Sequence, residues 1–230
     1  MRVDRAMSID VGQLKSFDRI HLHGPSVVRI SQSGRPPSVT VNAPGYLMPS
    51  VESRVSERCL ALGYRSGVVV PLRAWREVIT FEVGVQDLHK LTLAGTALVT
   101  IPDLDTDSLV LRVSGRGRIR LEKLTSDRVE TWVGRGGHVT IAGDVELQSV
   151  NVEKDGHYDA GDLVSDIGIA SVAGGSARVM VNDDLTVNVA DHGRVIYSGF
   201  PEVSKQVSNG GQLVRMRPRR RQQPSEDMNA

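Results

Sequence analysis

Short aliphatic runs separated by glycine-rich corners recur along most of this chain. Within each run apolar and polar residues alternate, which is the pattern of a β-strand with one buried side. Seven such segments can be aligned: residues 91–101, 111–121, 131–141, 151–160, 171–181, 187–197 and 206–216. Because like positions return at a nearly fixed interval, the pattern predicts a protein built from structural repeats.

One apolar position can be followed through all seven segments. It is occupied by Val99, Ile119, Val139, Tyr158, Val179, Val195 and Leu213, at steps of 20, 20, 19, 21, 16 and 18 residues. A second apolar position precedes the next corner: Leu104, Leu124, Val145, Leu163, Leu185 and Phe200. Three short faces per repeat of about 19 residues describe one coil of a parallel β-helix, whose coils stack about 4.8 Å apart.

We therefore predict an all-β fold, a parallel β-helix preceded by an N-terminal strand region that begins or caps it. Glycines at the corners supply the positive φ of a tight change in strand direction. The last stretch, YSGFPEVSKQVSNGG (197–211), is predicted to be the final coil, with Phe200 inside and 207–213 as the last rung. The alternative is a β-sandwich with evenly spaced hairpins, which would need two-residue Asn-Gly turns between paired strands.

Composition supports one β domain and excludes several classes of protein. The chain has 230 residues, 40% of them hydrophobic and 4% aromatic, which suits a single core of thin aliphatic layers. The net charge of +1 predicts no general attraction to nucleic acid or to membranes. Cys59 is the single cysteine, so no intrachain disulfide forms. We expect no export signal and no membrane span in this sequence, because it lacks a suitable apolar run.

The order of these patterns predicts three parts. Residues 1–16 are a lead-in, 17–216 form the β-helix domain, and 217–230 are a basic tail that we expect to be disordered. The open ends of a β-helix carry unpaired strand edges. We therefore expect residues 214–222, or a second subunit, to cover the last rung, and self-association through the helix ends is one predicted interaction.

Three stretches resemble the bacterial family described as a putative auto-transporter adhesin, head GIN domain, a domain of unknown function. They are FDRIHLHGPSVVRISQSG (17–34), VITFEVGVQDLHKLTLAGTALVTI (78–101) and the closing YSGFPEVSKQVSNGG. The resemblance implies a right-handed parallel β-helix on a secreted or envelope-attached protein, without catalytic residues. Two features depart from the family pattern: we expect no export signal in this sequence, and the corners Lys154-Asp155 and Asp191-His192 are more polar than the family's usual Ser-Gly corners.

Enzyme and metal motifs are few. The segment EKDGHYDAGD (153–162) is carboxylate-rich, but a solvated corner explains it better than a calcium or acid/base site. Asp183 and Asp184 fit a turn, and His21 and His23 face outward without a visible third ligand. We therefore predict no catalytic residue, no metal and no cofactor.

The candidate binding residues point outward. The position before each register residue holds Leu98, Arg118, His138, His157, Arg178, Arg194 and Gln212, which predicts a basic stripe along the helix. Such a stripe either keeps a flat sheet soluble or binds an anionic polymer such as an acidic glycan. Trp132 is predicted to face solvent, either as a sugar-stacking platform or interface anchor, or as a lone surface aromatic.

These observations favour a non-enzymatic, adhesin-like surface-recognition module. The alternatives are a cytoplasmic, self-assembling β-helix scaffold and, with less support, a polysaccharide-active enzyme.

Overall fold

The protein is built almost entirely of β-strands. The computed structural model describes residues 6–10, 15–65 and 78–216, and within these ranges it contains no α-helix. The strands are β1 (Ala6–Asp10), β2 (Arg19–His23), β3 (Val27–Gln32), β4 (Ser38–Pro44), β5 (Val51–Ser56), β6 (Cys59–Tyr64), β7 (Thr80–Val85), β8 (Lys90–Ala94), β9 (Leu98–Ile101), β10 (Leu104–Asp105), β11 (Ser108–Ser114), β12 (Arg118–Gly134), β13 (His138–Glu153), β14 (His157–Ala173), β15 (Ser176–Ala190), β16 (Arg194–Ser198), β17 (Glu202–Val207) and β18 (Gln212–Arg215). A 3-10 turn, Met48–Ser50, precedes β5.

The predicted parallel β-helix is confirmed, with about six turns. The long strands β12 to β15 bend around the helix, and each pairs in parallel with the next. Three faces can be followed. The first sheet contains 98–101, 118–121, 138–142, 157–160, 176–180, 194–198 and 212–215. The bridging face contains 104–105, 124–126, 143–145 and 163–165, and the second sheet 90–94, 108–114, 128–134, 147–153, 167–173, 184–190 and 202–207.

The N-terminal strands begin and cap the helix, as predicted. The coil formed by β2 and β3 lies between two others: β8 and β9 pair with it on one side, and β6 and β7 on the other, all in parallel. Antiparallel strands continue beyond this coil, because β5 pairs with β6 and β4 with β7. β1 lies within the predicted lead-in and pairs with β4.

The predicted register holds for the first four coils, is wrong by two residues in the fifth, and holds again at Val195 and Leu213. Val139 lies between Ile119 and Tyr158, but Tyr158 is followed in the column by Ala177 and not by Val179. Both Ala177 and Val179 are buried. Alternation alone does not choose between them, and a small alanine beside Tyr158, the largest fully buried side chain, keeps the packing volume even.

The second predicted column is also corrected. Leu104, Leu124 and Leu163 do share one column, but Gly143 fills the intervening place. Val145 lies two residues further on, paired with Ser126 and Ser165, and Leu185 pairs with Gly168 in the second sheet. The pairing shifts where the strands bend, for example between Leu121 and Leu124, so a constant repeat length misplaces these residues.

Phe200 is not inside the helix. Its side chain is 78% exposed, and the guanidinium of Arg215 lies 4.9 Å from the ring centroid. Gly199, at φ +94°, turns the chain immediately before it, and a Cβ there would lie 1.9 Å from the carbonyl oxygen of Val181. The chain therefore leaves the first sheet at this point, and the phenyl ring stays on the surface.

Corner glycines take the positive φ as predicted at Gly95, Gly115, Gly136 and Gly174, but other residues take it as well. At three of the corners polar, non-glycine residues have a positive φ: Arg135 (50°), then Lys154 and Asp155 (39° and 60°), then Asp191 and His192 (51° and 60°). The glycine after each turn has another role, since a Cβ on it would lie within 2.6–2.8 Å of an atom of a neighbouring coil. Those glycines, Gly137, Gly156 and Gly193, permit close stacking of the corners.

The last rung remains at the edge of the described structure. β17 pairs only with β15, and β18 only with β16, among the described residues. Residues 214–216 extend this rung instead of folding back over it. The predicted covering segment from 217 to 222, and the whole basic tail 217–230, lie outside the described residues.

Candidate ligand-binding surface

The outward side of the first sheet carries two columns of side chains, which we call the basic face. The first column is Arg118, His138, His157, Ser176 and Arg194, and the second is Arg120, Thr140, Asp159, Arg178 and Ile196. These ten positions hold four arginines, two histidines and one carboxylate. The sequence signal for this face was the alternation of basic with aliphatic residues after each corner.

The predicted single stripe is therefore corrected to a two-column face. Arg178 pairs with Asp159 and Ile196, and Ser176 takes its predicted place beside His157. The cause is the register error at Val179, which displaced Arg178 by two residues, whereas Arg194 and Gln212 keep their predicted places. The correction keeps Arg178 on the same face, one column away.

The two columns differ in whether their arginines form ion pairs with carboxylates. Among the described residues, no carboxylate lies within ion-pair distance of Arg118 or Arg194. Arg120 contacts Glu122 at 3.2 Å, and Arg178 contacts Asp159 at 3.9 Å. The Arg178 side chain also lies over Gly161, where an added Cβ would be 2.5 Å from its Nε. Arg118 and Arg194 are thus the cations most available to a ligand.

The two histidines of the basic face form a pair. Their ring centroids lie 5.8 Å apart, and Nδ1 of His157 is 2.8 Å from the Ser176 hydroxyl oxygen. Burial lowers the pKa of His138 below its ordinary value of 6.5, and the neighbouring His157 and Arg118 lower it further. His138 is consequently neutral at pH 7, and it gains its proton below pH 6.5.

We expect anion binding by this face to strengthen as the pH falls. The proton that His138 gains as the pH falls through its lowered pKa adds one cation, which should raise the affinity for dextran sulfate about two- to fivefold relative to pH 7.5. The sulfate charge of this polymer does not change as the pH falls. Affinity measured against pH for wild type and His138→Gln tests this. An identical pH dependence in the two proteins would show that His138 plays no part.

The same lowered pKa has the opposite effect on stability. The unfolded chain binds the His138 proton more readily than the folded one, so this contribution to stability is present above pH 6.5 and is lost as the pH falls below it. Binding a polyanion would offset the loss by stabilising the charged ring.

The bridging face has the opposite charge. Six carboxylates border a groove there: Asp105, Asp107, Asp127, Asp144, Glu146 and Asp166. Among the described residues, no three histidine, cysteine or carboxylate side chains are arranged to hold a metal ion. The β-helix therefore carries opposite charge on these two faces.

The carboxylate-rich segment 153–162 is spread over different structures. Asp155 lies in the corner turn, Tyr158 is buried in the core, and Asp159 accepts a hydrogen bond from the backbone N–H of Gly161. These assignments match the predicted corner. His21 and His23 do face outward on β2, where Nε2 of His23 lies 2.7 Å from the carbonyl oxygen of Tyr64.

Trp132 lies on a different surface from the basic face. It points outward from the second sheet and is 39% exposed, as predicted, while Thr131 and Val133 on either side of it are buried. Its neighbours in the adjacent coils are Arg112 and Asn151. The structure thus separates this residue from the arginines and histidines with which it was grouped as a binding residue.

The fold is shared with several bacterial proteins of known structure. A crystal structure of a putative adhesin from Bacteroides fragilis superposes with a TM-score of 0.81 at 20% identity, covering 92% of this chain and 97% of that one. A putative adhesin from Parabacteroides merdae gives 0.74 at 18% identity, with 94% and 98% covered. A putative lipid binding protein from Parabacteroides distasonis gives 0.70 at 17% identity, again with 94% and 98% covered.

These neighbours are named as adhesins or binding proteins rather than as enzymes, and they give no support to a cytoplasmic scaffold. A comparison with curated proteins found no match. Within the described residues, no helix has the length and apolar character that a membrane span requires. The family model for the putative auto-transporter adhesin, head GIN domain, matches residues 16–201, which include the first two stretches that suggested the resemblance and residues 197–201 of the third. The chain therefore belongs to the head GIN domain family of putative auto-transporter adhesins.

Proposed function

We propose that this chain is a non-enzymatic recognition module, adhesin-like in role, whose basic face binds an anionic polymer such as an acidic glycan. The observation that carries the proposal is the composition of that face: four arginines and two histidines with a single carboxylate on ten adjacent outward positions. Coulombic repulsion between like charges on neighbouring strands destabilises a sheet. A bound polyanion would remove that repulsion.

The geometry suits an extended chain lying along the helix axis. Arg118 and Arg194 are separated by four coil steps, or about 19 Å at the usual strand spacing. Successive cations along this line can meet successive acidic groups of a polymer. Each exposed contact is weak, about 0.2–1 kcal/mol, but contacts on one rigid face add because the later ones form without further loss of translational freedom.

The basic face lacks the pair of carboxyl groups that hydrolysis of a glycosidic bond requires. Cleavage of a glycosidic bond requires two carboxyl groups on either side of it, one of them acting as an acid. Asp159 is the one carboxylate among the ten positions, and its Oδ1 already contacts Arg178 and the Gly161 N–H. This supports binding without catalysis.

The test compares dextran sulfate with uncharged dextran, two polymers with the same backbone. Wild type should bind dextran sulfate and lose affinity as salt is added, because salt screens exposed charges. The triple variant Arg118→Ser, Arg178→Ser, Arg194→Ser should lose at least about tenfold in affinity. Biolayer interferometry with immobilised polymer measures both. Polygalacturonate, a carboxylated polymer, serves as a second probe.

A matched control separates this face from general charge. Arg54→Ser, Arg65→Ser, Arg128→Ser removes three exposed arginines elsewhere and should keep near-wild-type affinity. Because Arg178 is half-buried, the double variant Arg118→Ser, Arg194→Ser provides a comparison with less risk to folding. Equal losses in the control and the triple variant, or equal binding of dextran and dextran sulfate, would refute the proposal.

A further inference from the structure

The second sheet carries a shallow depression centred on an exposed tryptophan. Its volume is about 330 Å³, and its side-chain lining comes from Val110, Arg112, Glu130, Trp132, Ser149 and Asn151. These residues belong to three neighbouring coils, on strands β11, β12 and β13. A depression of this size is at the lower end of the range for small-molecule sites.

The indole is open because its neighbours on the sheet are short or flexible. Arg112 and Asn151 lie directly beside Trp132 in the adjacent coils, and Ser149 occupies the next outward position on β13. No bulky apolar side chain covers the ring from these positions. A large, rigid aromatic side chain that is 39% exposed is thus held on a regular sheet.

The polar side chains around the Trp132 ring include both hydrogen-bond donors and hydrogen-bond acceptors. Arg112 offers several N–H donors, the Glu130 carboxylate accepts, and Asn151 and Ser149 can do both. Within the lining, the positive charge of Arg112 is matched by the negative charge of Glu130. The lining has no net charge that would favour an ionic ligand. Its donors and acceptors can instead form hydrogen bonds with the hydroxyl groups of a polyhydroxylated ligand.

We infer that this depression, defined as the Trp132 site, binds the pyranose ring of a neutral sugar. One side of a pyranose is a patch of C–H groups that stacks on an indole, and its ring hydroxyls project sideways to donors and acceptors like those around Trp132. The Trp132 site is independent of the basic face. It gives the module a second binding site, which recognises uncharged sugar residues.

Fluorescence tests this inference directly. The chain has two tryptophans, Trp75 and Trp132, so a Trp75→Phe background isolates the emission of Trp132. Methyl glycosides of glucose, galactose, mannose and N-acetylglucosamine are the probes. At least one should shift the emission with saturation, and Asn151→Ala should weaken its binding at least fivefold. Saturation-transfer NMR on wild type and Trp132→Ala should show the same sugar losing contact in the variant.

Ile169→Ala is the matched control, since it removes another exposed apolar side chain of the second sheet. It should leave binding within twofold of wild type, as should Arg118→Ser, Arg194→Ser. The inference is overturned if none of the four glycosides binds, or if Trp132→Ala binds as well as wild type while keeping its melting temperature. Either result would leave polyanion binding by the basic face unaffected, so the two proposals fail separately.

Discussion

Replacing Val139 with aspartate is expected to cost more than about 4 kcal/mol of folding free energy, or to prevent folding. Val139 is fully buried between Ile119 and Tyr158 of the adjacent coils. A carboxylate there has no partner and no access to water, and its neutral form still leaves buried polar oxygens unsatisfied. Urea denaturation followed by circular dichroism measures the loss.

The control for this variant is His138→Asp, one residue earlier in the same strand. That position faces outward beside Arg118, so an aspartate there remains hydrated and meets a cation. Its stability should stay within about 1 kcal/mol of wild type. If Val139→Asp unfolded at the same urea concentration as wild type, the inward register of this coil would be wrong.

Gly143→Ala should be one of the most damaging additions of a single methyl group within the helix. Gly143 has φ of +130°, and an added Cβ would lie 2.1 Å from the carbonyl oxygen of Leu124 and 2.5 Å from its nitrogen. Because Leu124 is itself fully buried, its backbone cannot move away from the added methyl group. Conformational strain and the clash together should cost about 3 kcal/mol or more.

Gly134→Ala provides the comparison. The nearest atom to a Cβ there, apart from its chain neighbours, is the Val113 carbonyl oxygen at 4.0 Å, and its φ is not positive. Alanine should be neutral or stabilise by a few tenths of a kcal/mol, because it restricts the unfolded chain. Thermal melting of both variants tests the pair. Equal melting temperatures would mean that the bend at Gly143 is not built as described.

The sequence was sufficient for the architecture because alternation and repeat length are local properties. Val99, Ile119 and Val139 are buried, and the outward direction of Trp132 follows from the buried residues on either side. The same pattern located the basic face, since arginine and histidine alternate with aliphatic residues on successive strands. Period and alternation therefore predict which side of a strand a residue takes.

The column member after Tyr158, and the positions beyond each bend, could not be predicted from the repeat alone. Pairing between β14 and β15 shifts twice, once between Ala160 and Val164 and again between Ser165 and Ile167. In a stretch where Ala177 and Val179 both face inward, the bulkier residue is the natural choice, and here it is wrong. The steric fit to Tyr158 is a tertiary property that no local pattern contains.

A buried polar cluster was likewise missed. Gln148 and Ser165 are fully buried inside the helix, where the Gln148 amide donates to the Ser165 hydroxyl at 2.6 Å and to the Met180 carbonyl at 3.0 Å. The Tyr158 hydroxyl lies 3.5 Å from Oε1 of Gln148, and burial raises the pKa of this phenol well above its ordinary value. A glutamine among aliphatic residues predicts an exposed position by itself, and only its partners make the interior acceptable.

The central claim is that an anionic polymer binds along the basic face, and residue-resolved NMR tests it most directly. Amide chemical shifts of ¹⁵N-labelled protein would be recorded during titration with a short polygalacturonate oligomer. We predict that the largest changes fall on residues 118–121, 138–141, 157–160, 176–178 and 194–196, and that the bridging face near Asp127 and Asp144 stays unchanged. Changes centred on any other face, or none at saturating oligomer, would contradict the account.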